Sequence, residues 1–168
     1  KRKRKIMQNK IWLSSPHMGG NEQKYINEAF AENWIAPLGP NVNGFEKDLE
    51  EYLGQDSHVA CVSSGTGAIH LALDIAGVTR DNEVLCQTFT FCGSSNPIAY
   101  MGATPVFIDS EEDTWNISPK YLEKAIKDGI EKGKKPKAVI AVHLYGMPAK
   151  MDEIEAICKK YNVFLIED

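Results

Sequence analysis

The stretch KAVIAVHLYGMPAKMDEIEAICKKYNVFLIED, residues 137–168, places two short apolar runs on either side of an amphipathic segment. The two runs, 137–144 and 163–168, are rich in β-branched residues and mostly do not alternate between apolar and polar side chains. Continuous apolarity is typical of strands that are buried on both faces of a sheet, whereas residues 150–161 have the pattern of a helix. The stretch therefore predicts a strand, a helix and a second strand.

The same alternation extends back to residue 58. Further strands are predicted at 58–63, 83–88 and 105–109. Further helices are predicted at 66–77, 94–101 and 119–130. The last of these helices has Ser118 as its cap and Pro119 in its first turn, where the missing amide hydrogen costs nothing. Strands that alternate with helices predict an α/β domain with a mainly parallel sheet.

The chain before residue 58 has a different pattern. Two helical stretches, 21–33 and 43–53, flank WIAPLGPNVNG, residues 34–44, whose glycine and proline content predicts a loop. We therefore predict three parts: a flexible basic tail at 1–9, a helical segment with a loop at 10–57 and an α/β domain at 58–168.

Composition is ordinary for a soluble globular protein, with 43% hydrophobic and 25% charged residues. No run approaches the roughly 18 apolar residues of a membrane helix, and no apolar segment of a secretory signal follows the basic start, so we expect a cytoplasmic protein without a membrane partner. The four cysteines, at 61, 86, 92 and 158, form no CxxC pair and no zinc-ligand spacing. Reduced structural cysteines and no metal site are expected.

The first five residues, KRKRK, carry five positive charges, so the rest of the chain carries a net charge of −9. A basic pentapeptide can bind nucleic acid. An acidic body follows it here, the sequence offers no aromatic or basic groove, and Met7 could be a native start. A flexible or added tail is therefore favoured, and no nucleic-acid partner is expected.

Polar residues follow the first predicted strand of the α/β domain, and ligands of such domains collect at the carboxyl ends of the strands. The turn SSGTG, residues 63–67, supplies hydroxyls and close backbone approach before a helix. Gly65, Thr66 and Gly67 could bind a phosphate at the helix N-terminus, or the turn could simply cap the helix. A dinucleotide fingerprint is disfavoured because His70 stands where the third glycine would be.

The other strand ends are also polar or aromatic. Phe89 and Phe91 follow the second strand, where an aromatic ring could stack on a planar ligand or pack in the core. His143 follows the fourth strand as a catalytic or a hydrogen-bonded core histidine. Glu167 and Asp168 end the fifth strand, as a polar sheet edge or as part of a site.

Several motifs in order over some 150 residues carry a family resemblance. From about residue 10 onward the chain resembles the N-terminal part of the DegT/DnrJ/EryC1/StrS family of pyridoxal phosphate (PLP) dependent sugar aminotransferases. The matching stretches are GPNVNGFEKDLEEYLG, VSSGTGAIHLAL, DNEVLCQTFTFCGSSNPIAYMGATPVFID and HLYGMPAKMDEIEAICKKYNVFLIED. The match departs from the family at Gln87, where a proline is usual, which puts the local turn in doubt.

The resemblance implies that the segment 10–57 carries an active-site loop. It implies that 58–168 is the cofactor-binding large domain of a fold type I aminotransferase, incomplete at its C-terminal end. Such an enzyme is expected to work as a homodimer with its active site at the interface. Thr66 and Gly67, with Gly65 beside them, would hold the phosphate of PLP. Phe91 would stack on the ring of the cofactor, and Asp168 would pair with its protonated ring nitrogen.

The activity that the resemblance implies is transfer of an amino group, with glutamate as the expected donor, to a keto group of a nucleotide-linked sugar. We expect this reaction to serve surface polysaccharide or glycan biosynthesis. His143 is counted with the cofactor-binding residues on the same resemblance.

The family's Schiff-base lysine is expected beyond Asp168, so we predict no catalytic residue in this chain. The lysines at 120, 124, 127, 159 and 160 fall on predicted helical, solvent-facing stretches. A Schiff-base lysine must be desolvated and deprotonated, which disfavours all five. The chain is expected to be about the first half of a typical member and inert by itself.

Two alternatives stay open. The first is a PLP-dependent sugar dehydratase of the same fold, which would have histidine at the lysine position. The second is a cofactor-binding module without turnover. The residue that separates the first alternative from an aminotransferase is expected outside this chain.

Overall fold

The computed structural model describes residue 12, residues 14–54 and residues 56–168. The chain divides into two compact units, Lys1–Cys61 and Val62–Asp168. The basic tail predicted at 1–9 lies outside the described residues. None of the described helices is long and apolar enough to cross a membrane.

The first unit contains two helices, α1 at Glu22–Ala31 and α2 at Pro40–Leu53. The predicted loop at 34–44 is therefore wrong in its last five residues, which are helical. Gly39, with a φ of 148°, precedes the helix, and Pro40 occupies the first turn, where its fixed φ favours a helix.

The strand predicted at 58–63 is not formed. The backbone amide of Val59 donates to Glu50 Oε1 at 3.0 Å, and that of Cys61 donates to Glu46 Oε1 at 2.7 Å. Two carboxylates of α2 thus take hydrogen bonds that a neighbouring strand would otherwise accept. The backbone amides of Val59 and Cys61 are thus bound by side chains rather than by a strand ladder.

The second unit alternates helices and strands. Its helices are α3 at Gly65–Ile75, α4 at Cys92–Tyr100, α5 at Pro119–Glu131 and α6 at Met151–Tyr161. Its strands are β1 at Glu83–Gln87, β2 at Thr104–Ile108, β3 at Ala138–Ala141 and β4 at Phe164–Glu167. The four strands are parallel and stand in the order β2-β1-β3-β4. The predicted α/β domain with a mainly parallel sheet is confirmed.

Each face of the sheet is covered by a pair of helices. Cys86 and Ile140 pack with α3 and α4, whereas Leu85 and Val139 pack with α5 and α6. Successive residues of a strand point to opposite faces, so burial on both faces requires apolar residues at every position. This arrangement explains the continuous apolarity of the central strands β1 and β3, whereas the edge strands β2 and β4 leave Phe107 and Phe164 exposed.

The predicted N-terminus of α5 is confirmed, with Ser118 as its N-cap. Ser118 Oγ accepts a hydrogen bond from the amide of Tyr121 at 3.4 Å, and Pro119 follows in the first turn. One turn further along, α5 is joined to the end of α6, because Glu123 Oε1 accepts from Lys160 Nζ at 2.8 Å and from Tyr161 Oη at 2.9 Å. Polar contacts thus hold the two helices in register over their shared apolar core.

A buried glutamine lies at the end of β1, the strand from which the sheet extends to both sides. β2 lies on one side of β1 and β3 on the other. Gln87, at the end of β1, is fully buried, and its Oε1 accepts from the amides of Val142 at 3.1 Å and Ile117 at 3.3 Å. Its Nε2 donates to the carbonyl of Phe89 at 2.9 Å. β1 runs regularly to this residue, so the departure from proline does not disturb the strand.

Asn116 extends this contact to the segment after β3. Its Oδ1 accepts from the amide of Leu144 at 2.9 Å and lies 3.5 Å from Gln87 Nε2. Its Nδ2 donates to the carbonyl of Met147 at 2.8 Å. The amide pair Gln87–Asn116 therefore ties together the segments that follow β1, β2 and β3.

An ion-pair cluster holds the loop after β2 against the start of α6. Lys150 Nζ lies 2.8 Å from Glu111 Oε2 and 2.6 Å from Asp113 Oδ2. The hydrogen bond from Lys150, followed by that from Thr114, lowers the pKa of Glu111 from 4.5 to about 2. Glu111 therefore stays ionised in the folded protein at pH values where it is protonated in the unfolded chain.

Gln87→Leu should lower the free energy of unfolding by about 2–3 kcal/mol, because the amides of Ile117 and Val142 lose their acceptor in the interior. Urea denaturation measures the change. Gln23→Leu is the matched control, because Gln23 donates to Asn27 on the exposed surface of α1, and it should change the free energy by less than about 0.5 kcal/mol. Equal effects of the two substitutions would contradict the role of the buried pair.

The lowered pKa of Glu111 predicts a pH dependence of stability. Its contribution is complete above the unfolded pKa of 4.5 and is lost as the pH falls through the folded value of about 2. Glu111→Gln should flatten the fall in unfolding free energy between pH 4.5 and 2, measured by urea denaturation across that range. Glu112→Gln, at an exposed neighbour, should keep the wild-type slope. A Glu111→Gln slope equal to that of wild type would refute the cluster's contribution.

Candidate functional site

The N-terminus of α3 has the geometry of an anion site. Ser64 caps the helix, and its Oγ accepts from the amide of Gly67 at 3.1 Å. Gly65 and Thr66 form the first turn, where backbone amides have no acceptor within the helix. Amide hydrogens, the Thr66 hydroxyl and the positive end of the helix dipole are the groups that bind phosphate. The cap and the anion site of the two earlier interpretations are therefore compatible.

The first turn of α4 meets the first turn of α3 through a glycine. A Cβ added at the buried Gly93 would lie 3.1 Å from Thr66 Oγ1 and 3.0 Å from Phe91 Cδ1. These distances are tighter than most Cβ contacts in proteins, so glycine permits Thr66 and Phe91 to approach the same backbone position without displacement. The structure thereby brings two of the predicted site residues together.

The two phenylalanines after β1 have different surroundings. The Phe91 side chain is 78% exposed, which excludes core packing for this residue and leaves a ring face available for stacking. Phe89 packs edge to face against Trp115, with ring centroids 6.1 Å apart. Of the two aromatic candidates, Phe91 is the one in contact with the Thr66–Gly93 turn.

Asp168 lies just beyond β4 and reaches α4 through a serine. Ser94 Oγ donates to Asp168 Oδ2 at 2.5 Å and lies 2.9 Å from Thr90 Oγ1. The Asp168 amide donates to the carbonyl of Ala141, and the His143 amide donates to the Asp168 carbonyl, each at 2.8 Å. Asp168 thus continues the β3–β4 ladder while its side chain faces α4. The role of this strand end in a site stays a prediction.

The Cys86 thiol lies beneath this carboxylate in the core. Burial, and after it the charge of Asp168, raises the pKa of Cys86 to about 12. The residue therefore stays protonated at neutral pH and behaves as a buried apolar side chain. All four cysteines are free, with Cys61 and Cys92 exposed.

His143 and Glu167 face the other side of the sheet. His143 Nδ1 accepts from the amide of Ala149 at 3.1 Å, so the proton of the neutral ring is on Nε2, which lies 3.4 Å from Glu167 Oε2. The backbone of His143, and not its ring, contacts Asp168. The structure thus shows a hydrogen-bonded histidine, and a contact between its ring and a cofactor stays a prediction.

Three polar features of this region escaped the sequence analysis. They are the Ser94 donor to Asp168, the Gly93 contact and the Gln87–Asn116 pair. The stretch FCGSS, residues 91–95, contained a usable signal, since small residues directly after an exposed aromatic suggest close approach of another element. A glutamine that ends an otherwise apolar strand was a second signal.

The donor set fits PLP. The α3 N-terminus offers amides and a hydroxyl for a phosphate, Phe91 offers an exposed ring face, and Asp168 offers a carboxylate for a protonated ring nitrogen. The first turn of α4 connects these three groups through Gly93 and Ser94. Within residues 12, 14–54 and 56–168, no group of three or more histidine, cysteine or acidic side chains is arranged to hold a metal ion.

The chain is similar in sequence to known proteins. The sequence model of the DegT/DnrJ/EryC1/StrS aminotransferase family matches residues 16–168. The chain is 57% identical over 162 residues to EpsN of Bacillus subtilis (strain 168), provisionally described as a pyridoxal phosphate-dependent aminotransferase. It is 39% identical over 158 residues to the GDP-perosamine synthase of Escherichia coli O157:H7. These matches cover 96% and 94% of this chain but 42% of each relative.

A solved structure gives the same result. The crystal structure of a DegT DnrJ EryC1 StrS aminotransferase from Brucella abortus superposes with a TM-score of 0.81 at 38% sequence identity. The match covers 87% of this chain and 39% of that one. The chain therefore spans about 42% of the length of the two curated relatives.

Proposed function

Because the chain belongs to the DegT/DnrJ/EryC1/StrS aminotransferase family, we propose that its site binds PLP and that the whole protein is an aminotransferase. Its acceptor would be a keto group on a nucleotide-linked sugar. One observation carries the proposal: the first turn of α4 places Thr66, Phe91 and Asp168 around one short backbone segment. These are the residue types that a phosphate, a flat ring and a protonated ring nitrogen require.

The phosphate would bind at the N-terminus of α3. Gly65 and Thr66 would donate their amides, and the hydroxyl of Thr66 would add a third donor. The amide of Gly67 already donates to Ser64 Oγ. Gly67 would therefore contribute through its small size, which allows close approach of the phosphate to the backbone. The helix dipole would favour the negative charge of the phosphate without requiring a lysine or an arginine.

The ring would lie against Phe91, with its nitrogen at Asp168. When bound, PLP supplies an electron sink for the substrate carbon. The Asp168 carboxylate would hold a proton on the ring nitrogen, because an adjacent negative charge favours the protonated form. Phe91 would fix the plane of the ring and keep water from its face.

The lysines of α5 and α6 that form ion pairs do not suit covalent binding of PLP. Lys124, Lys127, Lys159 and Lys160 form ion pairs on exposed helical surfaces, as the sequence analysis expected of solvent-facing residues. The hydrogen bond to Glu123 raises the pKa of Lys160, which favours the protonated form. A nucleophilic lysine needs the opposite shift. We therefore propose that the reacting lysine lies downstream of Asp168.

Similarity to the GDP-perosamine synthase supports a nucleotide-linked sugar as the substrate class. On the same family basis we propose glutamate as the donor, a role in surface polysaccharide or glycan synthesis, and action in the cytoplasm. A homodimer is proposed as the working form. Exposed apolar side chains on α3 and α4, including Ile75 at 77% and Tyr100 at 61%, support burial of this surface against another chain.

The proposal is tested on the purified full-length protein. After loading with PLP and removal of free cofactor, glutamate alone should release 2-oxoglutarate in an amount equal to the bound PLP. A keto nucleotide-sugar should then be aminated without further glutamate. Loss of water from the sugar without consumption of glutamate would indicate the dehydratase alternative. PLP binding without either reaction would indicate a cofactor-binding module, and absence of PLP binding would overturn the proposal.

Asp168→Asn in the full-length protein should cut the rate of the glutamate half-reaction at least about a hundredfold. Loss of a charge-paired hydrogen bond at a ligand costs roughly 3 kcal/mol, which corresponds to about two orders of magnitude. Glu167→Gln is the matched control, because its side chain bonds to His143 on the other face of the sheet. Single-turnover rates with equal losses for both variants would contradict the assignment of Asp168.

A further inference from the structure

Ser94 is a buried serine whose hydroxyl points at the Asp168 carboxylate. The residue is 2% exposed, and its Oγ lies 2.5 Å from Asp168 Oδ2. A carboxylate can only accept, so Ser94 is the donor in this hydrogen bond. Its single proton is then used, and Ser94 Oγ must accept from Thr90 Oγ1 at 2.9 Å. The direction of the chain Thr90 to Ser94 to Asp168 is thereby determined.

Asp168 has few other restraints on its side chain. The residue is exposed, and no lysine, arginine or histidine of the described residues forms an ion pair with it. The neighbouring groups that could carry charge are Cys86 from β1, Glu167 of β4 and His143 after β3. Cys86 is a protonated thiol, and Glu167 and His143 bond to each other. Ser94 is thus the side-chain donor that holds Asp168.

The backbone that carries Ser94 is itself well determined. The Ser94 amide donates to the carbonyl of Phe91 at 3.0 Å in the first turn of α4. The preceding residue, Gly93, is the one against which Thr66 packs. One helical turn therefore fixes the spacing between the phosphate end of the site, the stacking ring and the terminal carboxylate.

We propose that Ser94, supported by Thr90, is a positioning residue for the cofactor. It holds Oδ2 of Asp168, so that Oδ1 is the oxygen left for the ring nitrogen. The inference rests on the proposed function and deepens it, because it assigns a role to a residue that touches neither the phosphate nor the ring. Its effect on the cofactor is exerted through Asp168.

The test compares Ser94→Ala with Ser95→Ala in the full-length protein. Ser95 is the matched control because its hydroxyl donates to the carbonyl of Cys92 within the same helix, at 3.4 Å. Ser94→Ala should weaken PLP affinity about tenfold, because it removes a hydrogen bond to a charged group. Fluorescence titration measures the affinity. The circular dichroism of bound PLP should also weaken, since the ring is held less firmly. Ser95→Ala should stay within about twofold of wild type in affinity.

Two further variants separate positioning from packing. Ser94→Thr restores the hydroxyl and should recover PLP affinity to within about threefold of wild type. Thr90→Val removes the supporting donor with little change of shape and should weaken PLP binding about threefold. This variant tests the proposal if Ser94→Ala does not fold. Thermal unfolding of the cofactor-free proteins shows whether a variant acts on stability alone.

The outcomes distinguish the two levels of the proposal. If wild type binds PLP but Ser94→Ala matches Ser95→Ala, the role of Ser94 is overturned and the proposed function stands. The same follows if Ser94→Ala loses stability without losing affinity, or if Ser94→Thr does not recover. If wild type itself binds no PLP, the proposed function is overturned and the role of Ser94 with it.

Discussion

The buried amide of Gln87 is the contact on which the geometry of the second unit depends. It sits at the end of β1, where β2 and β3 diverge to either side, and accepts the amides of Ile117 and Val142. Ligands of doubly wound sheets bind at this reversal, where loops must leave the strands in fixed directions. Because each backbone amide here would otherwise be buried without a partner, Gln87 holds three loops in place at once.

The candidate site is built one element away from that contact, on the first turn of α4. This turn follows β1 closely, so the end of the strand also determines where Phe91, Gly93 and Ser94 lie. In the proposed function, phosphate binding at α3, ring stacking at Phe91 and pairing of a ring nitrogen at Asp168 are three separate tasks. The first turn of α4 carries or contacts all three groups. Contact with one turn would restrict the distances between them, which preorganised binding of a cofactor requires.

The central strands β1 and β3 could be predicted because burial on both faces leaves a direct trace in the sequence. Ser118 and Pro119 likewise marked the start of α5 with local chemistry. The start of α4 was predicted two residues late, at 94, because Cys92 and Gly93 are poor helix formers and no side chain caps that end. The strand predicted at 58–63 failed for a different reason: carboxylates of α2 accept its amide hydrogens.

The sequence alone determined the α/β class and placed the small, hydroxyl-bearing turn at 65–67, Phe91 and the terminal acids Glu167 and Asp168 at strand ends, with two interpretations open for each. Each depends on residues that are neighbours along the chain. Tertiary structure alone decided that Ser94 reaches Asp168 across 74 positions and that His143 turns to Glu167 on the opposite face. These contacts join residues from different elements, and their pairing depends on strand order and helix placement, which the local pattern of side chains does not encode.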